Sequence, residues 1–298
     1  MRVPRLLEPG QSDSPLVVVR SGFWNFNSFG FYDGDEALLI DPGFYPEDIA
    51  LLGAAVTTRH REGAPRRVRH VVITHSHHDH IRGWASFPEA QVTSPLVVAQ
   101  KGATAQSRIL AAKRKIDERL GIADEGFEYP RPDVTFEAEC TLHVGSREVV
   151  LFPLFGHSNC CSVVWIPSLR TLFTADYLVD PGLPYCRWEA GAMESALDWL
   201  ADFCRTQGVE TIWPAHNHPV RGSAAIQTAI HRDRESMRRI RTQCELGLQQ
   251  ARPEAEILEC ATAAALDWRG TENKATRLQD LDNARRVLLE CKAQTAPE

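Results

Sequence analysis

Residues 70–80 read His-Val-Val-Ile-Thr-His-Ser-His-His-Asp-His. The first half has the composition of a buried strand. The second half places four histidines and an aspartate in six consecutive positions, 75–80. A fold that accepts this run must end a core strand at a polar cavity and give the cluster something to bind. Crowded imidazoles otherwise gain little and repel one another when protonated. In extended backbone, residues two apart point to one side. His75 and His77 can therefore reach a common point, while Asp79 and His80, arriving as the chain turns, can face a second. Imidazole with carboxylate suits zinc, iron or manganese. The competing reading, a polar loop that happens to be rich in histidine, does not account for strand, turn and ligand spacing together.

Further downstream, apolar runs end in the same kinds of residue. Residues 149–154 lead into Phe155-Gly156-His157-Ser158, Leu172-Phe173-Thr174-Ala175 into Asp176, and Thr211-Ile212-Trp213-Pro214-Ala215 into His216. Upstream, Ala37-Leu38-Leu39-Ile40 leads into Asp41-Pro42-Gly43. Together, and in this order, these elements resemble the metallo-β-lactamase-fold superfamily of dinuclear hydrolases, which includes glyoxalase II-like enzymes, thioesterases and lactonases. The resemblance runs from about residue 21 to about residue 219. It implies an α/β fold, a four-layer αββα sandwich. It also implies a metal set in which His75, His77 and His157 hold one ion, Asp79, His80 and His216 hold a second, and Asp176 bridges them. Two Zn2+ are the expected cofactors, with iron or manganese as alternatives. In such a site the ions lower the pKa of a shared water, and the resulting hydroxide attacks a carbonyl carbon. Asp79 and Asp176 are the expected catalytic carboxylates. Asp41 is expected to organise the loops beneath the metals by hydrogen bonding.

The departures fall outside the ligands. Arg82 stands where the family often has glycine, Asn159-Cys160 follow His157-Ser158, and Ala215 replaces a glycine before His216. These changes bear on the substrate subclass. No Cys-Gly-His-Glu-type run of the glyoxalase II kind surrounds His216. The position three after Asp176 holds Val179, where homoserine-lactone hydrolases carry tyrosine. The expected function is hydrolysis of a small thioester, ester or lactone, with an acyl substrate free or carried on coenzyme A or a carrier protein. One alternative is a mononuclear iron sulfur dioxygenase-like oxidoreductase using His75, His157 and Asp176. A β-lactam or amide hydrolase is another, and a non-catalytic binding protein on the same fold ranks last because every ligand position is filled. The roles of His78, His218, Cys160, Cys161 and Arg187 stay open.

Lys and Arg number 33 against 39 Asp and Glu, a net charge of −6. A nucleic-acid groove needs a clustered basic face, and Arg66-Arg67-Val68-Arg69 is too short a run to make one. No apolar stretch is long enough to span a membrane, and residues 1–10 lack a secretory apolar core. The eight cysteines show no CxxC pair, so they read as reduced thiols in a cytoplasm.

Element by element, Asp33-Gly34 predicts a hairpin joining strands 27–32 and 36–40. Helices are expected at 46–58, 79–87, 96–120, 192–206, 224–250, 254–266 and 276–292. Strands are expected at 16–19, 71–74, 91–93, 141–144, 148–154, 162–166, 171–174 and 210–213. Residues 95–132 form a helical insertion relative to compact relatives. The expected division is an αββα domain over 1–221 and a helical C-terminal extension over 222–298.

Overall fold

A computed structural model describes residues 3–11, 14–58, 64–123, 126–270 and 274–295. The chain is mixed α/β, with two sheets and seven α-helices among the described residues. It divides into two compact units. The first comprises Met1–Pro153, Cys160–Leu169 and Ala215–Asn217, and the second Leu154–Asn159, Arg170–Pro214 and His218–Glu298.

The first unit carries β1 (Arg5–Pro9), β2 (Leu16–Arg20), β3 (Asn27–Asp33), β4 (Glu36–Ile40), α1 (Pro46–Thr57), β5 (Arg67–Val72), β6 (Gln91–Pro95), α2 (Leu96–Ala99), α3 (Ala103–Leu120), β7 (Val134–Phe136), β8 (Cys140–Val144), β9 (Arg147–Pro153) and β10 (Ser162–Ile166). Strands β1 to β7 form one sheet in sequence order. It is antiparallel from β1 to β4 and parallel from β4 to β7. The parallel strands are the ones that must be buried on both faces, and Val71, Val72 and Ile73 are fully buried. Helix α1 begins at Pro46, where the fixed φ of proline suits a first turn. Asp48 Oδ2 accepts from the Phe44 and Tyr45 N–H groups at 3.2 and 2.9 Å and so satisfies the open helix start. Leu52 and Val56 of α1 pack with Val17, Val19, Leu39 and Val71 of the sheet. Burial of each such side chain contributes about 1.5–3 kcal/mol. Gly30 of β3 permits this approach, because a Cβ there would lie 2.1 Å from Val56 Cγ1. Strands β8, β9 and β10 pair antiparallel.

The expected helix over 79–87 is absent. Residues 78–83 form turns, and only a 3₁₀ turn at Trp84–Ser86 follows. The cause is a close backbone contact. A Cβ on Gly83 would fall 1.7 Å from the Pro42 carbonyl oxygen, so this segment is folded onto the Asp41–Gly43 loop instead of coiling into a helix. The expected helix over 96–120 is two helices, because Gly102 adopts an extended conformation (φ −65°, ψ 159°) and starts α3 afresh. Strands β1 and β7 have no counterpart in the sequence reading. One is a short edge strand of mixed polarity and the other is only Val-Thr-Phe.

In the second unit are β11 (Thr171–Phe173), α4 (Ala190–Thr206), β12 (Thr211–Trp213), β13 (Val220–Arg221), α5 (Ser223–Gln249), α6 (Glu254–Arg269) and α7 (Lys274–Thr295). Strand β11 runs parallel to β12, which pairs antiparallel with β13. In α5, Ile226, Ile230, Met237, Ile240 and Cys244 are buried at helical spacing. Ile257, Ala261 and Ala265 of α6 and Ala284, Val287 and Leu288 of α7 supply the matching apolar faces. No described helix is long and apolar enough to cross a membrane, and all eight cysteines are free thiols.

Candidate metal centre

In the first unit, β4 and β5 end side by side, and the loops beyond them meet at Asp41. That residue is buried at a φ of 44°, a strained left-handed conformation for a non-glycine residue. Three hydrogen bonds hold its carboxylate. Oδ1 accepts from the Thr74 N–H at 2.8 Å, and Oδ2 accepts from Thr74 Oγ1 at 2.6 Å and from His80 Nδ1 at 2.8 Å. The Thr74 hydroxyl thus points its hydrogen at Asp41, and its oxygen accepts from His75 Nδ1 at 3.1 Å. Both His75 and His80 therefore carry their proton on Nδ1 and present the Nε2 lone pair outward. His75 Nε2 lies 3.0 Å from His77 Nδ1.

His216 reaches the same unit on a three-residue excursion. Phe26 forms an isolated bridge with it, the Asn27 N–H donates to the Ala215 carbonyl at 2.7 Å, and the Asn217 N–H donates to the Asn25 carbonyl at 3.1 Å. Arg20 and Asn27 donate to the Asn217 carbonyl. His216 Nδ1 donates to the Trp24 carbonyl at 3.2 Å. A carbonyl can only accept, so this ring too presents its Nε2, 3.4 Å from Asp79 Oδ2. One ligand atom from each of Asp79, His80 and His216 falls within 4.8 Å of the others.

The second unit holds the other two expected ligands. His157 is fixed on three sides. Its N–H donates to Tyr177 Oη at 3.2 Å, its carbonyl accepts from the Arg187 N–H at 2.9 Å, and its Nδ1 donates to the Tyr185 carbonyl at 2.8 Å. Its Nε2 then faces Asp176 Oδ2 at 3.1 Å. Tyr177 is fully buried, and its hydroxyl donates to the Leu154 carbonyl at 2.9 Å. The Tyr177 hydroxyl thereby braces the backbone at His157.

The donor set fits a divalent metal. Four rings have Nδ1 committed as a donor to an oxygen, and the Nε2 atoms of three of them, His80, His157 and His216, face a carboxylate oxygen at 3.8, 3.1 and 3.4 Å, which is the arrangement by which proteins orient metal-binding histidines.

Neighbouring residues have defined places. Arg82 is buried and donates from Nη1 to Asp117 Oδ1 at 2.6 Å. Lys113 donates to Asp117 Oδ2 at 2.7 Å. The Arg82 guanidinium lies 4.0 Å over the Phe44 ring. Both Lys113 and Asp117 belong to α3, so the inserted helix supplies the counter-charge for the arginine beside the metal loop. His78 packs against Trp24, with ring centroids 5.8 Å apart. Burial pushes its pKa below the usual histidine value. His218 is exposed, and Cys160 is buried with its thiol 3.2 Å from Ser76 Oγ.

A family model for the metallo-β-lactamase superfamily matches residues 22–216, more than half of the chain. No curated protein matches the sequence. Among solved structures, the chain is similar to the stereoselective inverting sec-alkylsulfatase Pisa1 from Pseudomonas sp. (16% identity, TM-score 0.67), covering 100% of this chain and 52% of that one. A double mutant of the sec-alkyl sulfatase PisA1 is similar at 16% identity and a TM-score of 0.66, covering 95% of this chain and 49% of that one. A metallo-β-lactamase from Pontibacter korlensis is similar at 19% identity and a TM-score of 0.54, covering 76% of this chain and 99% of that one. The chain spans about half the length of the two alkylsulfatases, and at these identities the likeness is one of fold. With its two-sheet α/β fold and a family match that spans all the His and Asp elements, the chain belongs to the metallo-β-lactamase superfamily.

Proposed function

We propose that this protein is a metal-dependent hydrolase of a small thioester, ester or lactone, with a dinuclear centre. In this reading His75, His77 and His157 hold one ion, Asp79, His80 and His216 hold the other, and Asp176 bridges. The observation that carries it is the fixed tautomer of His75, His80, His157 and His216, each with Nδ1 donating to an oxygen. Bound there, two dications would supply hydroxide near neutral pH and polarise the scissile carbonyl. The chain's own part is orientation and proton handling. Asp41 and Thr74 hold the rings of His75 and His80 in place. Asp79 offers a carboxylate oxygen within reach of two imidazoles, at 3.8 Å from His80 Nε2 and 3.4 Å from His216 Nε2, and can accept a proton as the nucleophile forms. No nucleophilic serine is required.

The first test is elemental analysis of tag-free protein followed by a panel of thioesters, esters, lactones and, given the names of the similar structures, sec-alkyl sulfates. About two zinc ions per chain with turnover of a carbonyl substrate is the expected result. About one iron per chain with oxygen uptake on a persulfide would replace this reading with the oxygenase. His77→Ala and Asp176→Ala should each abolish turnover while keeping native far-ultraviolet circular dichroism. Activity retained in both would sink the dinuclear mechanism.

A further inference from the structure

We infer that Asn283, on the C-terminal helix α7, is a positioning residue for the metal ligand His157. The inference rests on the reading of His157 as a ligand proposed above. Asn283 is fully buried in the second unit. Its amide clamps the backbone on both sides of Tyr185: Oδ1 accepts from the Cys186 N–H at 2.8 Å, and Nδ2 donates to the Pro184 carbonyl at 2.9 Å. The Cys186 N–H and the Tyr185 carbonyl belong to one peptide group. That group is planar and trans, so its N–H and C=O point in opposite directions. With the N–H fixed on Asn283, the carbonyl is aimed the other way, and it is this carbonyl that accepts from His157 Nδ1 at 2.8 Å. One peptide therefore connects a buried side chain of α7 to the tautomer of His157, and so to the direction of its Nε2. Hydrogen bonding at the N–H also polarises the carbonyl and strengthens it as an acceptor.

The residue type is specific to the task. Only a side-chain amide offers an acceptor and a donor side by side on a short stem. Aspartate would keep the bond to Cys186 but set a carboxylate oxygen against the Pro184 carbonyl. Helix α7 is itself fixed along the same loop. Glu290 accepts from the N–H groups of Ala190 and Gly191, and Asp282 pairs with Arg187 at 3.4 Å. The second of these contacts is exposed, and neither touches the Tyr185 peptide. Asn283 stands in a stripe of α7 that includes Ala284, Val287 and Leu288, a costly place for an amide unless both its ends are used.

The test reads the His157 ring directly. Full-length, metal-free protein labelled with 15N at histidine would be examined by long-range 1H–15N correlation, with His157→Gln to assign the ring. Zinc affinity would be measured by competition with a chromophoric chelator. Wild type should show His157 protonated on Nδ1. Asn283→Leu should give a mixture of tautomers and weaken one zinc about 10- to 100-fold, the usual effect of losing an outer partner of a ligand, with the second zinc unaffected. Asn283→Asp, which retains one of the two bonds, should fall between and serves if the leucine variant does not fold. Glu290→Gln, on the same helix and loop, should match wild type. An unchanged tautomer and unchanged zinc affinity in both Asn283 variants would overturn the inference, as would an equal loss in Glu290→Gln. So would full zinc affinity in His157→Gln. A protein that binds zinc and shows these shifts but hydrolyses nothing would remove only the hydrolase reading.

Discussion

Asp41 shows how much of the site one side chain can set. It takes the Thr74 amide, the Thr74 hydroxyl and His80 Nδ1 on a single buried carboxylate. Asp41→Ala should weaken zinc at the Asp79–His80–His216 group about 10- to 100-fold, measured by chelator competition. It should also lower stability in urea by about 1–3 kcal/mol, because the Thr74 N–H is left buried without its acceptor. Wild-type zinc affinity in this variant would mean that His80 does not depend on Asp41. The candidate ligands and Asp41 can all be picked out in the sequence because strand-end histidines and aspartates have a recognisable spacing. The groups that aim His157 and His216 cannot. They are the Tyr185 and Trp24 carbonyls, and a backbone acceptor carries no residue signature. Tyr177 hides in a similar way, since an aromatic beside a site reads as a pocket wall until its hydroxyl is seen bonding the backbone.

Elements with strong periodicity, such as β3, β4 and α5, lie within a residue or two of their sequence-based bounds. Failures occur where tertiary contact overrides local preference. Residues 79–87 have helical composition, yet they turn because Gly83 is pressed against Pro42. Gly83→Ala should therefore cost about 1–3 kcal/mol by overpacking in urea unfolding, against a gain of at most about 1 kcal/mol from a stiffer unfolded chain. A variant as stable as wild type would show that the Pro42 contact relaxes freely. Glycine at this position follows from the close approach, since its φ of −93° is open to any residue. Arg82 was legible as a departure from family pattern but not as a buried ion. Its partner Asp117 is 35 residues away on the inserted helix α3, and no local rule links the two.

Across the whole molecule, charge is buried well beyond the candidate metal centre. Asp233 of α5 is fully buried, and burial pushes its carboxyl up to about 6 against the pull of Arg232 and Arg269. Asp180 lies nearby and raises it further. Because the folded carboxyl holds its proton more tightly than the unfolded one, this group favours the folded state in acid. That contribution is complete below the ordinary value of 3.8 and is lost as pH rises to about 6. Relative to Asp233→Asn, wild type should therefore lose thermal stability between about pH 4 and 6, measured by scanning calorimetry. A constant difference across that window would show that Arg232 keeps Asp233 ionised throughout.

The short excursion at Ala215–Asn217 also bears on how the protein is made. His216 and the Trp24 carbonyl that orients it are separated by 192 positions, and contacts of such span form only after a large loop has closed. On the ribosome, the histidine-rich strand end emerges long before its third partner. A nascent chain can collect His75, His77, Asp79 and His80, but it cannot complete the Asp79–His80–His216 group until residues 215–217 have left the exit tunnel and threaded back beside Phe26. Metal capture as proposed at that group would thereby wait for residues 215–217, however early the histidine-rich strand end has folded.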